Sequence, residues 1–160
     1  MQLEIFTTGG TIDKVYFDAK SKFEVGEPQI LEVLREANLS IDYQVTPLMR
    51  KDSLELTDED REQVRQAVKA SSSTRIVITH GTDKMTDTAM ALAGIVGKTI
   101  VLTGAMQPAR FRFTDAVFNI ASAMMAAQTL TEGVYITMNG QVFDPATTRK
   151  NVEMNRFEAI

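Results

Sequence analysis

Two short runs, RIVIT (residues 75–79) and TIVL (residues 99–102), carry β-branched side chains without the apolar–polar alternation of a strand with one wet face. Runs of this kind belong to strands buried on both sides, as in a parallel sheet covered by helices. The rest of the chain alternates to match. LEIFT (residues 3–7) is strand-like and stops at Gly9-Gly10, and residues 41–48 alternate as a further strand. Helical patterns lie between. One covers residues 30–34 behind Pro28, which suits a first helical turn. A second covers 58–70, opened by Thr57-x-x-Asp60, a capping box with Asp in the usual Glu/Gln place, and is expected to bury Val64, Ala67 and Val68. A third covers 85–96, with Met85, Ala89, Leu92, Ala93 and Val96 at helical spacing. The fourth covers 114–130, with Val117, Phe118, Ala121, Met124 and Met125 assigned to one apolar face. VYITM, Asn139-Gly140 and QVF read as strand, type I′ turn and strand. Residues 13–27 read as a loop or hairpin, and 144–160 show no clear pattern. The expectation is an α/β fold: a doubly wound, mostly parallel sheet flanked by helices, with right-handed βαβ units and a β-hairpin near the C-terminus. At 160 residues, one domain over 1–160 is expected.

Composition removes several chemistries. With no cysteine and one histidine, the chain offers no thiolate nucleophile, no Cys-ligated metal and no multi-histidine site, so no metal and no cofactor are expected. Seventeen basic against 21 acidic residues give a net charge of −4, which argues against a nucleic-acid partner. No apolar run is long enough for a membrane span. The start, MQLEIFTTGG, lacks the basic and apolar regions of a signal peptide, so a cytoplasmic location is expected. Neither the dinucleotide fingerprint nor the P-loop motif occurs.

In such a sheet ligands bind beyond the carboxyl ends of the strands. Four segments leave strand ends: Thr8-Gly9-Gly10-Thr11, His80-Gly81-Thr82-Asp83-Lys84, Thr103-Gly104-Ala105-Met106-Gln107, and the stretch after Phe143. Thr11 either presents its hydroxyl or fills a turn. Thr82 and Asp83 either cap the following helix or face a group that develops negative charge. His80 is expected to hydrogen-bond a backbone carbonyl rather than act as a general base. Arg110 and Arg112 either bind an anion or pair with Asp115. Arg149-Lys150 reads, by position alone, as a solvated pair.

Taken together, TTGGTI (residues 7–12), THGTDKMTDTA (residues 79–89) and LTGAMQP (residues 102–108) closely resemble the bacterial-type L-asparaginase/glutaminase family, in the family's order. The resemblance spans essentially the whole chain but only the family's N-terminal domain, so the C-terminal domain is expected to be absent. It implies an asparaginase-like amidohydrolase that hydrolyses L-asparagine or a related small amide. It makes Thr11 the nucleophile, and Thr82, Asp83 and Lys150 the remaining catalytic group. Ser53 would hold the substrate α-carboxylate, Ala105 would place a backbone carbonyl near the side-chain amide, and Gly10 would lie in the binding turn. The sequence departs from the family at Phe23, where the mobile loop normally supplies a tyrosine, and Tyr16 is the candidate replacement. Leu54 stands where the family carries a polar residue. The implied partner is a small-molecule amide or amino acid, and a homo-oligomer is expected because a missing domain uncovers apolar surface. The alternative is a non-catalytic amino-acid-binding or partner-binding module that kept the fold and pocket.

Overall fold

In a computed structural model, which describes residues 2–160, RIVIT and TIVL are adjacent parallel strands at the centre of one sheet. Ile76, Val77, Ile78, Ile100, Val101 and Leu102 are all fully buried, as their unbroken apolar character requires. The elements run β1 (Gln2–Gly9), the hairpin β2 (Lys14–Phe17) and β3 (Lys22–Val25), α1 (Ile30–Glu36), β4 (Asp42–Lys51), α2 (Asp58–Ala70), β5 (Arg75–Thr79), α3 (Met85–Ala91), β6 (Thr99–Thr103), α4 (Ala116–Thr129), β7 (Gly133–Met138), β8 (Gln141–Phe143), β9 (Thr148–Asn151) and β10 (Arg156–Ala159). Short 3-10 turns occupy Thr11–Asp13 and Ser53–Glu55.

The sheet order is β4-β1-β5-β6-β7-β8, parallel except for the edge strand β8. From β1 the chain steps outward to β4 and then returns past β1 to β5. The winding direction therefore switches between β1 and β5, the place where open α/β sheets bind ligands beyond the carboxyl ends of their strands. The β7–β8 hairpin turns through Asn139 and Gly140, at φ 53° and 75°, the positive values of a type I′ turn. The stretch after Phe143, without pattern in the sequence, forms a second hairpin from β9 and β10.

Two cores sandwich the sheet. On one face Val64 and Val68 of α2 and Met85 and Ala89 of α3 pack on Ile76, Ile78, Ile100 and Leu102. On the other, Ile30 and Leu34 of α1 and Ile120 and Ala123 of α4 pack on Ile5, Val77 and Val101. The helix α2 opens with both halves of the capping box, Thr57 accepting from the Asp60 N–H and Asp60 accepting from the Thr57 N–H.

These faces correct one expectation. The steps β5–α3–β6 and β6–α4–β7 move in the same direction along the sheet, yet α3 and α4 lie on opposite faces. Crossovers that agree in direction and differ in face differ in hand, so the βαβ units are not uniformly right-handed. The connection 104–115 makes this possible by carrying the chain over the top of the sheet. It is fastened there by Asp115, which accepts the Met106 and Gln107 N–H groups, and by the Asn119 amide, which donates to the Gly104 carbonyl.

The inner face of α4 also differs from expectation. Ala116, Ile120, Ala123 and Ala127 are buried with Met124, whereas Val117, Phe118 and Met125 are more than half exposed. Alanines let the helix approach the sheet closely, so side-chain size points to the wrong face. The third helix stops at Ala91, ahead of Gly94 and Gly97 at φ 78° and 77°, and Val96 is exposed. Ile120→Ala is therefore expected to cost about 2–5 kcal/mol in urea unfolding, and Met125→Ala under about 0.5 kcal/mol. The opposite ranking would restore the outer face as the core face.

Candidate active site

Three loops meet at the switch point because two glycines leave room for them. Gly10, at φ 90°, sits so close to the next loop that a Cβ there would lie 2.4 Å from Gly81 Cα. A Cβ on Gly81 would lie 2.6 Å from Ser53 Cβ. The ends of β1, β5 and β4 are thus stacked backbone on backbone. The Gly10 N–H donates to the Lys51 carbonyl at 2.9 Å, and the His80 N–H to the Thr103 carbonyl at 2.8 Å. Gly10 therefore serves the site through close approach, its N–H being engaged within the protein.

On this platform Thr82 is nearly buried, and its hydroxyl accepts a hydrogen bond from Lys150 Nζ at 2.8 Å. The same ammonium lies 2.7 Å from Asp83 Oδ1. The lysine side chain is 15% exposed and the aspartate 40%, so the cationic partner is the more buried of the two. Neither Thr82 nor Asp83 caps α3, whose N-cap is Lys84 without a side-chain cap bond. Lys150 is not a free surface charge. It comes from β9, directly opposite Phe157 of β10. Cross-strand partners share a face, and Phe157 is buried in the core against Phe143, 6.4 Å between rings. Burying Phe157 therefore settles the side of the hairpin on which Lys150 projects, since a one-residue slip would put the two on opposite faces.

Ser53, in the 3-10 turn after β4, is 1% exposed, and its Oγ has no hydrogen-bond partner among the described residues. A buried hydroxyl left unpaired costs about 1–3 kcal/mol, and a ligand oxygen would satisfy it. Thr11 is half-buried at the head of the turn that follows Gly10. Ala105 is buried in the 104–115 connection. Tyr16 stands 53% exposed on β2, its ring 5.4 Å edge-on from Phe23, which in turn meets Phe111 at 5.6 Å. Arg112 lies over the Phe113 ring and Asp115 is engaged with backbone N–H groups, so of the two readings for Arg110 and Arg112 the ion pair with Asp115 is not formed among the described residues. Among the described residues no cluster of three or more His, Asp or Glu side chains is arranged to hold a metal.

His80 is fully buried beneath the platform, with Nδ1 2.7 Å from the Gly81 carbonyl and Nε2 2.8 Å from Thr88 Oγ1. Both nitrogens are engaged, which fits a structural imidazole that shapes the Gly81 turn. Burial pulls its pKa from 6.5 down to about 4; the Gly81 carbonyl and Asp87 oppose that fall and Arg61 adds to it.

The family model described as "Asparaginase, N-terminal" matches residues 2–160. The chain is 30% identical over 151 residues to the probable periplasmic L-asparaginase of Haemophilus influenzae, covering 88% of this chain and 43% of that protein. It is 36% identical over 98 residues to the glutaminase-asparaginase of Acinetobacter glutaminasificans, covering 58% of this chain and 30% of that protein. The solved thermostable L-asparaginase of Thermococcus kodakarensis superposes with a TM-score of 0.87 at 25% identity, covering all of this chain and 51% of that one. The chain thus spans about half the length, or less, of the relatives it matches.

The imidazole gives a clean test, since it is the only one in the sequence. The unfolded chain takes up a proton near 6.5, whereas the folded chain resists until about 4. The stability contributed by neutral His80 is therefore complete above 6.5 and is lost as pH falls through 4. The single His ring resonance should keep its neutral shift down to about pH 5. A midpoint near 6.5 in the folded protein would contradict the buried placement.

Proposed function

The chain belongs to the asparaginase family, to its N-terminal domain, and from that premise we propose that it is an amidohydrolase releasing ammonia from L-asparagine or a related small amide. The single observation that carries this reading is the Lys150–Thr82–Asp83 cluster. It sets a lysine against a threonine hydroxyl at the mouth of the switch-point crevice.

In this reading the Thr11 hydroxyl attacks the side-chain amide carbon. Lys150, in its unprotonated form, withdraws the proton through Thr82, and Asp83 holds the lysine in line. The tetrahedral intermediate collapses when the proton passes to the amide nitrogen, which leaves as ammonia, and the acyl group remains as an ester on Thr11. Water, deprotonated by the same Thr82–Lys150 pair, then cleaves the ester and returns the hydroxyl. Ser53, with its unpaired Oγ, takes the substrate α-carboxylate. Ala105 offers its carbonyl to the side-chain amide. Tyr16, on the hairpin beside Phe23, supplies the hydroxyl that position 23 lacks. No cofactor is part of this scheme, and the location belonging to it is cytoplasmic.

The reading also has the chain self-associating with a second copy. Val117, Phe118 and Met125 expose apolar surface on α4, beside a groove lined by Val33, Leu39, Ile41 and Ala121. Sedimentation at micromolar concentration is expected to show a dimer or larger species, and a stable monomer would overturn this part.

Activity is tested by ammonia release from L-asparagine, L-glutamine and other small amides. Thr11→Ala, Thr82→Ala and Lys150→Ala should each lower turnover by about 10²–10⁴-fold. Equal slow release by wild type and all three variants would overturn the enzyme reading. L-aspartate binding without turnover would point to a binding module instead.

A further inference from the structure

We propose that Asp13 is a positioning residue for Thr11, its buried carboxyl fastening the turn that carries Thr11 to the start of α1. The proposal rests on the amidohydrolase reading for its effect on turnover.

One residue makes three ties. The Asp13 N–H donates to the Gly10 carbonyl at 3.1 Å, closing the turn around Thr11. Its carbonyl accepts the Gly26 N–H at 2.8 Å, just past β3. Its Oδ1 accepts the Gln29 N–H at 2.9 Å, at the head of α1. The hairpin of residues 14–25 thus leaves and returns at the same residue, whose side chain adds the tie to α1. Asp13 is 2% exposed, and packing alone would be served by an apolar residue there. A carboxyl suits the position because it reaches the Gln29 N–H, which would otherwise be left without that acceptor.

The surrounding charges are largely committed elsewhere. Arg50, on β4, acts on Asp13 through space but is paired with Glu27 at 2.7 Å. Lys14 pairs with Asp52 at 3.1 Å, and Glu32 on α1 pairs with Arg35. Ala109, from the connection after β6, meets this turn through its N–H on the Ile12 carbonyl, and Arg110 beside it is exposed. Burial therefore dominates, pushing the carboxyl up to about 7 against the Gln29 N–H and Arg50. The Gln29 N–H is accepted in both protonation states, and ionisation strengthens that hydrogen bond.

The test uses the full chain and its Asp13→Asn and Asp13→Ala variants. kcat and KM are followed against pH, with the Thr11 and Gln29 amide signals read by NMR. Asp13→Ala should lower kcat at least about tenfold and change KM less, since small misplacements of a reacting group cost about that much or more. Asp13→Asn keeps an acceptor for Gln29. It should stay within about threefold of wild type in kcat. Wild-type kcat in Asp13→Ala, or a loss in Asp13→Asn as large as that in Asp13→Ala, would overturn the proposal. Should Asp13→Ala not fold, the Asp13→Asn comparison decides. If wild type releases no ammonia from any amide, the functional reading fails separately. The fastening is then judged by NMR. Thr11 and Gln29 signals moving together near pH 7 in wild type but not in Asp13→Asn uphold it, and a Thr11 signal that stays flat overturns it.

Discussion

Gly10 rests against Gly81, and Gly81 against Ser53, with no room for a methyl group at either glycine. This backbone contact between the ends of β1, β5 and β4 is what the site depends on. It sets the Thr11 turn, the Thr82-Asp83 segment and the Ser53 turn side by side without long loops. Rigid strand ends fix the position of each functional group more tightly than exposed loops would. Behind the contact, His80 braces the Gly81 turn and Gly104 presses on the His80 carbonyl, where a Cβ would lie 2.3 Å away. A larger residue at any of the three glycines would push these strand ends apart.

Two other features feed this platform. The change of crossover hand between α3 and α4 goes with the passage of residues 104–115, which rests Gly104 on the His80 carbonyl and Ala109 on the turn after Gly10. Asp115 and Asn119, both at the start of α4, hold that passage in place through backbone bonds. The β9–β10 hairpin is anchored from the opposite side by Phe157, and its register delivers Lys150 to Thr82. A residue 68 positions away in the chain thereby completes the cluster.

Much of this was legible in the sequence. RIVIT and TIVL announced buried parallel strands, Thr57 and Asp60 announced the start of α2, and Asn139-Gly140 announced the hairpin. Thr82, Asp83 and Lys150 were legible as a group through motif resemblance, not through spacing. Position alone read Lys150 as solvated, because nothing near it in the sequence reveals that Phe157 lies opposite. The buried face of α4 was misread because alanines, not the larger Val117, Phe118 and Met125, make the close contact with the sheet. The hand of the last crossover is a tertiary outcome of the 104–115 fastening and left no local pattern. Asp13 looked like the first charge of a polar loop, and only its burial between Gly10, Gly26 and Gln29 distinguishes it.

The central claim is that the switch-point crevice, bounded by Thr11, Ser53, Thr82 and Lys150, is where a small amino-acid amide binds. A crystal structure with L-aspartate, the product of the proposed reaction, tests it most directly. The account predicts the α-carboxylate on Ser53 Oγ and the side-chain carboxylate between Thr11 and Thr82. L-Aspartate bound elsewhere, with Ser53 Oγ still unpaired and Thr82 contacted only by Lys150, would contradict it.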